Sequence, residues 1–150
     1  MTFSIKLLPD VVENIEEDIG FAVYGVITIG TFQEQFTTAL SYWSVNDYEK
    51  HWKQALSRIL YNANISCLIT SMVDSNKHPF IFWWPMYRIE NIIFIQNQIL
   101  FFDQLLLKFN EQDPFSSVSE RRILDDDENK ISEWSVPVAD IEIFYNKEYK

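Results

Sequence analysis

The chain has 150 residues, 47% of them apolar and 16% aromatic, with only three glycines. Such a composition excludes a disordered chain, which lacks aromatic and β-branched residues to bury, and leaves one domain spanning residues 1–150 that can remove about 70% of its unfolded surface from water. The net charge of −10 repels nucleic acid and anionic membranes and favours a basic partner, although acidity also keeps an aromatic-rich protein soluble.

The charge is unevenly spread. Met1 to Glu49 carries eight acids against the single base Lys6, Lys50 to Asn110 three against six, and Glu111 to Lys150 eleven against five. The single cysteine, Cys67, permits no internal disulfide and fits a reducing compartment. The first residues, MTFSIKLLPD, lack a secretory pattern, and no run approaches the ~20 apolar residues of a membrane span. A cytoplasmic location is expected.

In chain order, Phe3 to Leu8 is a short apolar piece expected to stop at Pro9. Asp10 to Asp18 is acidic, and Val11, Val12 and Ile15 are spaced as in a short amphipathic turn. Phe21 to Ile29 and Phe32 to Leu40 read as strands joined at Gly30-Thr31, with Gly25 marking a bulge or a close backbone approach. The glycines match neither dinucleotide nor P-loop phosphate motifs. Ser44 to Tyr61 is the clearest helix. Asn46 and Glu49 have capping-box spacing, and Tyr48, Trp52, Ala55, Leu56, Ile59 and Leu60 form the stripe that must lie on a sheet.

Three strands follow, Ile65 to Val73, Phe80 to Tyr87 and Ile92 to Phe101, rich in β-branched and aromatic residues. Arg88 to Asn91 is the turn of an antiparallel hairpin, and Pro85, lacking an amide, belongs at an edge or bulge. Phe102 to Phe109 reads as a short helix and Pro114 to Lys130 as solvated surface. Ile131 to Val136 alternates as a strand. Pro137 opens a final helix with Ser135 as cap and Val138, Ile141, Phe144 or Tyr145 inward. The fold class expected is α+β, a mostly antiparallel sheet packed by two main helices.

No catalytic constellation emerges. Cys67 sits in an apolar strand as a buried thiol, and His51 and His78 lie in unlike settings, so no nucleophilic triad is formed. No metal site is expected either, because Asp125-Asp126-Asp127-Glu128 lacks the alternating spacing and central glycine of a calcium loop. No cofactor is implied. Trp83 and Trp84 must point to opposite faces of their strand, one of them a possible interface anchor beside Arg88.

Several blocks nevertheless resemble a known family. Trp52 to Leu56 (WKQAL), Ser66 to Met72 (SCLITSM), Phe82 to Arg88 (FWWPMYR), Ile95 to Phe101 (IQNQILF) and Ile131 to Val136 (ISEWSV) are similar to those of immunity proteins from bacterial contact-dependent growth inhibition systems. The resemblance implies a protein that binds and neutralises the cognate CdiA C-terminal toxin domain. Such toxins are often nucleases with basic clefts, which an acidic surface can fill. It carries no contact residues, so these follow from charge: Glu16, Glu17 and Asp18, and Asp125, Asp126, Asp127 and Glu128, with Trp84, Tyr87 or Arg88 as anchors. Two alternatives stand beside it. One is a small hydrolase using Asp74, Glu90 and Asp103, its pocket lined by Gln96, Asn97 and Gln98; the other is an acidic decoy for some other basic protein.

Overall fold

The computed structural model describes residues 2–13 and 21–150. The chain runs β1 (Phe3–Glu13), β2 (Phe21–Ile29), β3 (Phe32–Ala39), α1 (Val45–Ser57), β4 (Ile65–Ser71), β5 (Phe80–Ile89), β6 (Ile92–Gln96), β7 (Gln98–Phe101), β8 (Glu133–Pro137) and α2 (Val138–Tyr149). Strands β1, β2 and β3 form one antiparallel sheet. A second follows the order β4-β5-β6-β8, with β7 also pairing β5. The expected α+β class holds, with two sheets instead of one.

Both sheets and both helices share one core. Phe3, Ile5, Ile27 and Ile29 of the first sheet join Trp52, Leu56 and Ile59 of the α1 segment and Leu68, Trp84 and Ile93 of the second. Helix α1 forms as its stripe predicts, burying Tyr48, His51, Trp52, Ala55 and Leu56. Its cap is Ser44, whose hydroxyl accepts from the Asp47 amide while Asp47 accepts from the Ser44 amide. The box therefore begins two residues before the Asn46-Glu49 pair, which shares its spacing. A π-helical turn, Arg58–Asn62, carries α1 onward.

Pro9 does not end β1. It lies in a bulge between Leu7 and Val11, and β1 is an edge strand, where a missing amide is tolerated. Residues 10–13 continue the strand, so the expected amphipathic turn does not form there; its remainder lies outside the described residues. Gly25 marks a close approach, since a Cβ at this position would lie 2.3 Å from the Phe36 ring.

The expected Ile92 to Phe101 strand is split at Asn97 into β6 and β7. The reason is Pro85. Across the Glu90-Asn91 turn, Ile89 pairs with Ile92 and Tyr87 with Phe94. In a two-residue hairpin the pair closing the turn exchanges ladder bonds, and every second pair after it does so too. Pro85 falls on such a position opposite Gln96, has no amide to give, and the ladder lapses there. It resumes in the same register at Trp83 and Gln98. Pro85 is thus in the middle of the sheet, where the neighbouring strand breaks, and not at an edge.

Two further expectations fail. Phe102 to Phe109 makes only a single 3-10 turn at Phe102–Gln104; Phe102 and Phe109 fold back on each other with ring centroids 5.1 Å apart while Leu106 and Leu107 stay exposed, so no apolar stripe is buried to sustain so short a helix. At α2 the cap position is Pro137 with no side-chain cap bond, so Ser135 does not serve; Ile141, Phe144 and Tyr145 are buried as expected.

Candidate partner-binding surface

A groove of about 910 Å³ opens between β3 and β7 and is closed on its third side by the segment from Ser119 to Ser132. Its floor includes Phe36, Thr70 and Trp84, and five carboxylates line it, Glu34, Glu120, Asp125, Asp126 and Asp127, against the two cations Arg122 and Lys130. Arg122 is already paired with Asp126 at 2.9 Å. The groove is therefore net negative and partly aromatic.

The acidic wall is a built turn. Ile131 N–H donates to the Ile123 carbonyl at 2.9 Å, and Leu124 and Lys130 form a bridge. Within it, the Asp125 carboxylate accepts from the amides of Asp127 and Asn129, both at 2.9 Å, and Glu128 takes a left-handed φ of 63°. One carboxylate is thus spent on holding the turn, and Asp126, Asp127 and Glu128 are left exposed.

The base of this turn is fastened to the sheet. Arg121 grips Glu133 of β8 through a fork of 2.8 and 2.6 Å and lies 4.1 Å above the Phe94 ring. Gln96 donates to Glu133 at 2.8 Å and to the Arg122 carbonyl at 2.9 Å. The Arg121 guanidinium, aided by Gln96, holds the Glu133 carboxyl below the usual range. Asn97 donates to Glu34 across the two sheets at 3.2 Å. The amides Gln96, Asn97 and Gln98 are accordingly structural ties.

The side of the groove formed by the second sheet is apolar, lined by Phe82, Ile99 and Phe101. Phe80 pairs with Phe101 and Phe82 with Ile99, and Phe82, Ile99 and Phe101 are 42%, 45% and 38% exposed. Leu106 and Leu107 just beyond are also exposed.

The expected anchors are corrected by burial. Trp84 is only 2% exposed and underlies the groove. Tyr87 is buried, its hydroxyl donating to the Ser119 carbonyl at 3.0 Å, with burial pushing its pKa up to about 12. Arg88 is committed inward, donating to the Ile59 and Leu60 carbonyls at 3.2 and 2.8 Å. Glu16, Glu17 and Asp18 lie outside the described residues. Sequence reading missed Glu34, Glu120 and Arg121, and the Phe82, Ile99 and Phe101 face; alternation of Phe80 and Phe82 with Ile81 and Trp83 was the available signal.

The hydrolase alternative does not have its three carboxylates gathered in one place. Glu90 sits in the turn closing β5, at the opposite end of a ten-residue strand from Asp74 and Asp103, about 30 Å along the chain. Among the described residues, no three His, Cys, Asp or Glu side chains group as metal ligands, and no helix is long and apolar enough to cross a membrane. Cys67 and His51 are buried, and burial pushes the thiol's pKa up and the imidazole's down to about 3.

Two cross-braced sheets carrying an open, acidic and partly aromatic groove define an α+β domain. The chain belongs to the CdiI family of immunity proteins, residues 38–144 matching the CdiI N-terminal domain. It is 31% identical over 120 residues to the immunity protein CdiI of Enterobacter cloacae subsp. cloacae, covering 80% of this chain and 82% of that one. It also superposes on a chain of the CdiA-CT/CdiI toxin and immunity complex from Enterobacter cloacae, at a TM-score of 0.86 and 28% identity over 97% of each chain.

Proposed function

We propose that this protein binds the C-terminal toxin domain of a cognate CdiA protein in the cytoplasm and neutralises it. The observation that carries this reading is the near full-length likeness, in sequence and in structure, to CdiI and to a toxin and immunity complex. Neutralisation needs tight capture, which suits a groove that gathers five carboxylates on one open face.

The toxin is proposed to be a nuclease. A surface evolved to hold phosphates is basic, and the exposed Asp126, Asp127 and Glu128 beside Glu34 and Glu120 offer it the opposite sign. Opposite charge speeds encounter by up to a few powers of ten at low salt. Asp125 shapes that wall, Trp84 supports it from below, and Glu16, Glu17 and Asp18 are proposed as a second acidic contact.

The test is titration of the purified toxin domain against wild type and a variant with Asp126→Asn, Asp127→Asn and Glu128→Gln. The expected result is weaker binding by roughly tenfold or more, with a shallower salt dependence of the association rate. Unaltered affinity and salt dependence would remove the acidic turn from the interface.

A further inference from the structure

The chain closes one exposed sheet edge and leaves two others open on the same groove. Along β4, Arg88 N–H donates to the Asn64 carbonyl, so the alternate residues Ile65, Cys67 and Ile69 turn their backbone groups away from β5. Side chains of the α1 segment meet them. Arg58 donates to the Ile65 carbonyl at 2.9 Å, Trp52 to the Ile69 carbonyl at 2.8 Å, and His51 accepts the Ile69 amide at 2.8 Å.

Strand β3 is different. The two-residue turn at Gly30-Thr31 makes Ile29 and Phe32 a bonded pair, and Leu40 N–H donates to the Phe21 carbonyl at 2.9 Å. The even-numbered residues of β3 therefore bond β2, and Gln33, Gln35, Thr37 and Ala39 point their amides and carbonyls outward. The Ala39 amide is used by the Ser71 hydroxyl at 3.3 Å. Gln33, Gln35 and Thr37 have no backbone partner among the described residues. The same parity holds on β7, where Asn97 N–H reaches the Ser132 carbonyl and Phe102 N–H the Pro79 carbonyl, leaving Ile99 and Phe101 facing outward. Gln35, Thr37, Ile99 and Phe101 all line the groove.

We propose that the groove receives an extended, basic segment of the toxin domain, which adds to β3 as a fourth strand by pairing with the outward backbone groups of Gln33, Gln35 and Thr37. This rests on the toxin-binding reading and specifies its mode. β3 is the docking edge because it offers three consecutive outward positions where β7 offers two. Pairing supplies affinity independent of side chains, and the pockets on alternate positions supply selectivity. The incoming side chains that point down meet Phe36 and Trp84; basic ones at the rim face Glu34, Glu120 and Asp126.

The experiment is amide hydrogen exchange of the full chain, free and bound to the toxin domain, with affinities for Gln35→Pro and Gln35→Ala. Proline removes an outward amide that makes no bond within the sheet, whereas alanine removes only the side chain. Expected are slowed exchange at Gln33, Gln35 and Thr37 by roughly tenfold or more in the complex, and a loss of affinity at least about tenfold greater for Gln35→Pro than for Gln35→Ala. A complex of full affinity in which those amides exchange as in the free protein overturns strand addition and leaves toxin binding standing. Failure of wild type to bind the toxin domain at all overturns both. Exchange on wild type decides the matter even if Gln35→Pro does not fold.

Discussion

The Nε2 of His51 accepts the backbone amide of Ile69 at 2.8 Å, so a histidine of α1 serves as the missing neighbour of an edge strand. Accepting requires the neutral ring. The imidazole is buried, stacked near Phe115, and burial pushes its pKa down to about 3.

A pH dependence follows. The folded value lies below the ordinary 6.5, so the unfolded chain binds the extra proton; the stabilisation is full above 6.5 and declines as pH falls from there toward about 3. The slope from this group steepens toward about 1.4 kcal/mol per pH unit once pH is well below 6.5. Denaturant unfolding is expected to show a loss of roughly 2 kcal/mol from this group between pH 7 and 5 in wild type, and a shallower slope in His51→Gln. Equal slopes would contradict the assignment.

Tyr48 closes the seam between the two sheets. Its hydroxyl donates to the Ala39 carbonyl at 2.7 Å and accepts from the Met72 amide at 2.8 Å, both buried. Tyr48→Phe orphans two backbone groups and is expected to cost about 2–4 kcal/mol, read as a midpoint shift in urea without a change of slope.

At Gly25 the constraint is space. A methyl group would strike the Phe36 ring, which itself packs edge-on to Trp52 at 6.3 Å. Gly25→Ala is expected to destabilise by about 1–3 kcal/mol and, because Phe36 lines the groove, to weaken toxin binding as well. Full stability would show that the ring moves freely.

Arg121 ties the acidic turn to β8, and only a planar fork reaches both Glu133 oxygens. Arg121→Lys is expected to cost about 1 kcal/mol and to raise exchange of the Asp127 and Asn129 amides. Unchanged exchange would mean the turn holds without its anchor.

Elements whose apolar pattern faces a single surface were legible in the sequence. The α1 stripe and the inward face of α2 follow from periodicity, and the Phe80 strand from its β-branched and aromatic content, since Trp83 to Tyr87 are buried without alternation. Pro85 was legible as a disruption but not in its effect, because a lost donor is felt by the strand opposite, which periodicity does not identify. Phe102 to Phe109 misled because its apolar residues obey helical spacing, yet Leu106 and Leu107 are exposed and Phe102 packs on Phe109 instead of on a shared surface. The acidic turn was visible as charge; its Arg121 to Glu133 anchor spans twelve residues of irregular chain and left no local mark. The groove was invisible, since it exists only where two sheets meet.

The central claim is toxin neutralisation, tested most directly by expressing the cognate CdiA C-terminal toxin domain in growing cells with and without this protein. The account predicts arrested growth with toxin alone, rescue on coexpression, and a complex that copurifies with an association rate weakened by salt. Growth arrest persisting beside abundant, folded protein, with no complex recovered at low salt, would contradict it.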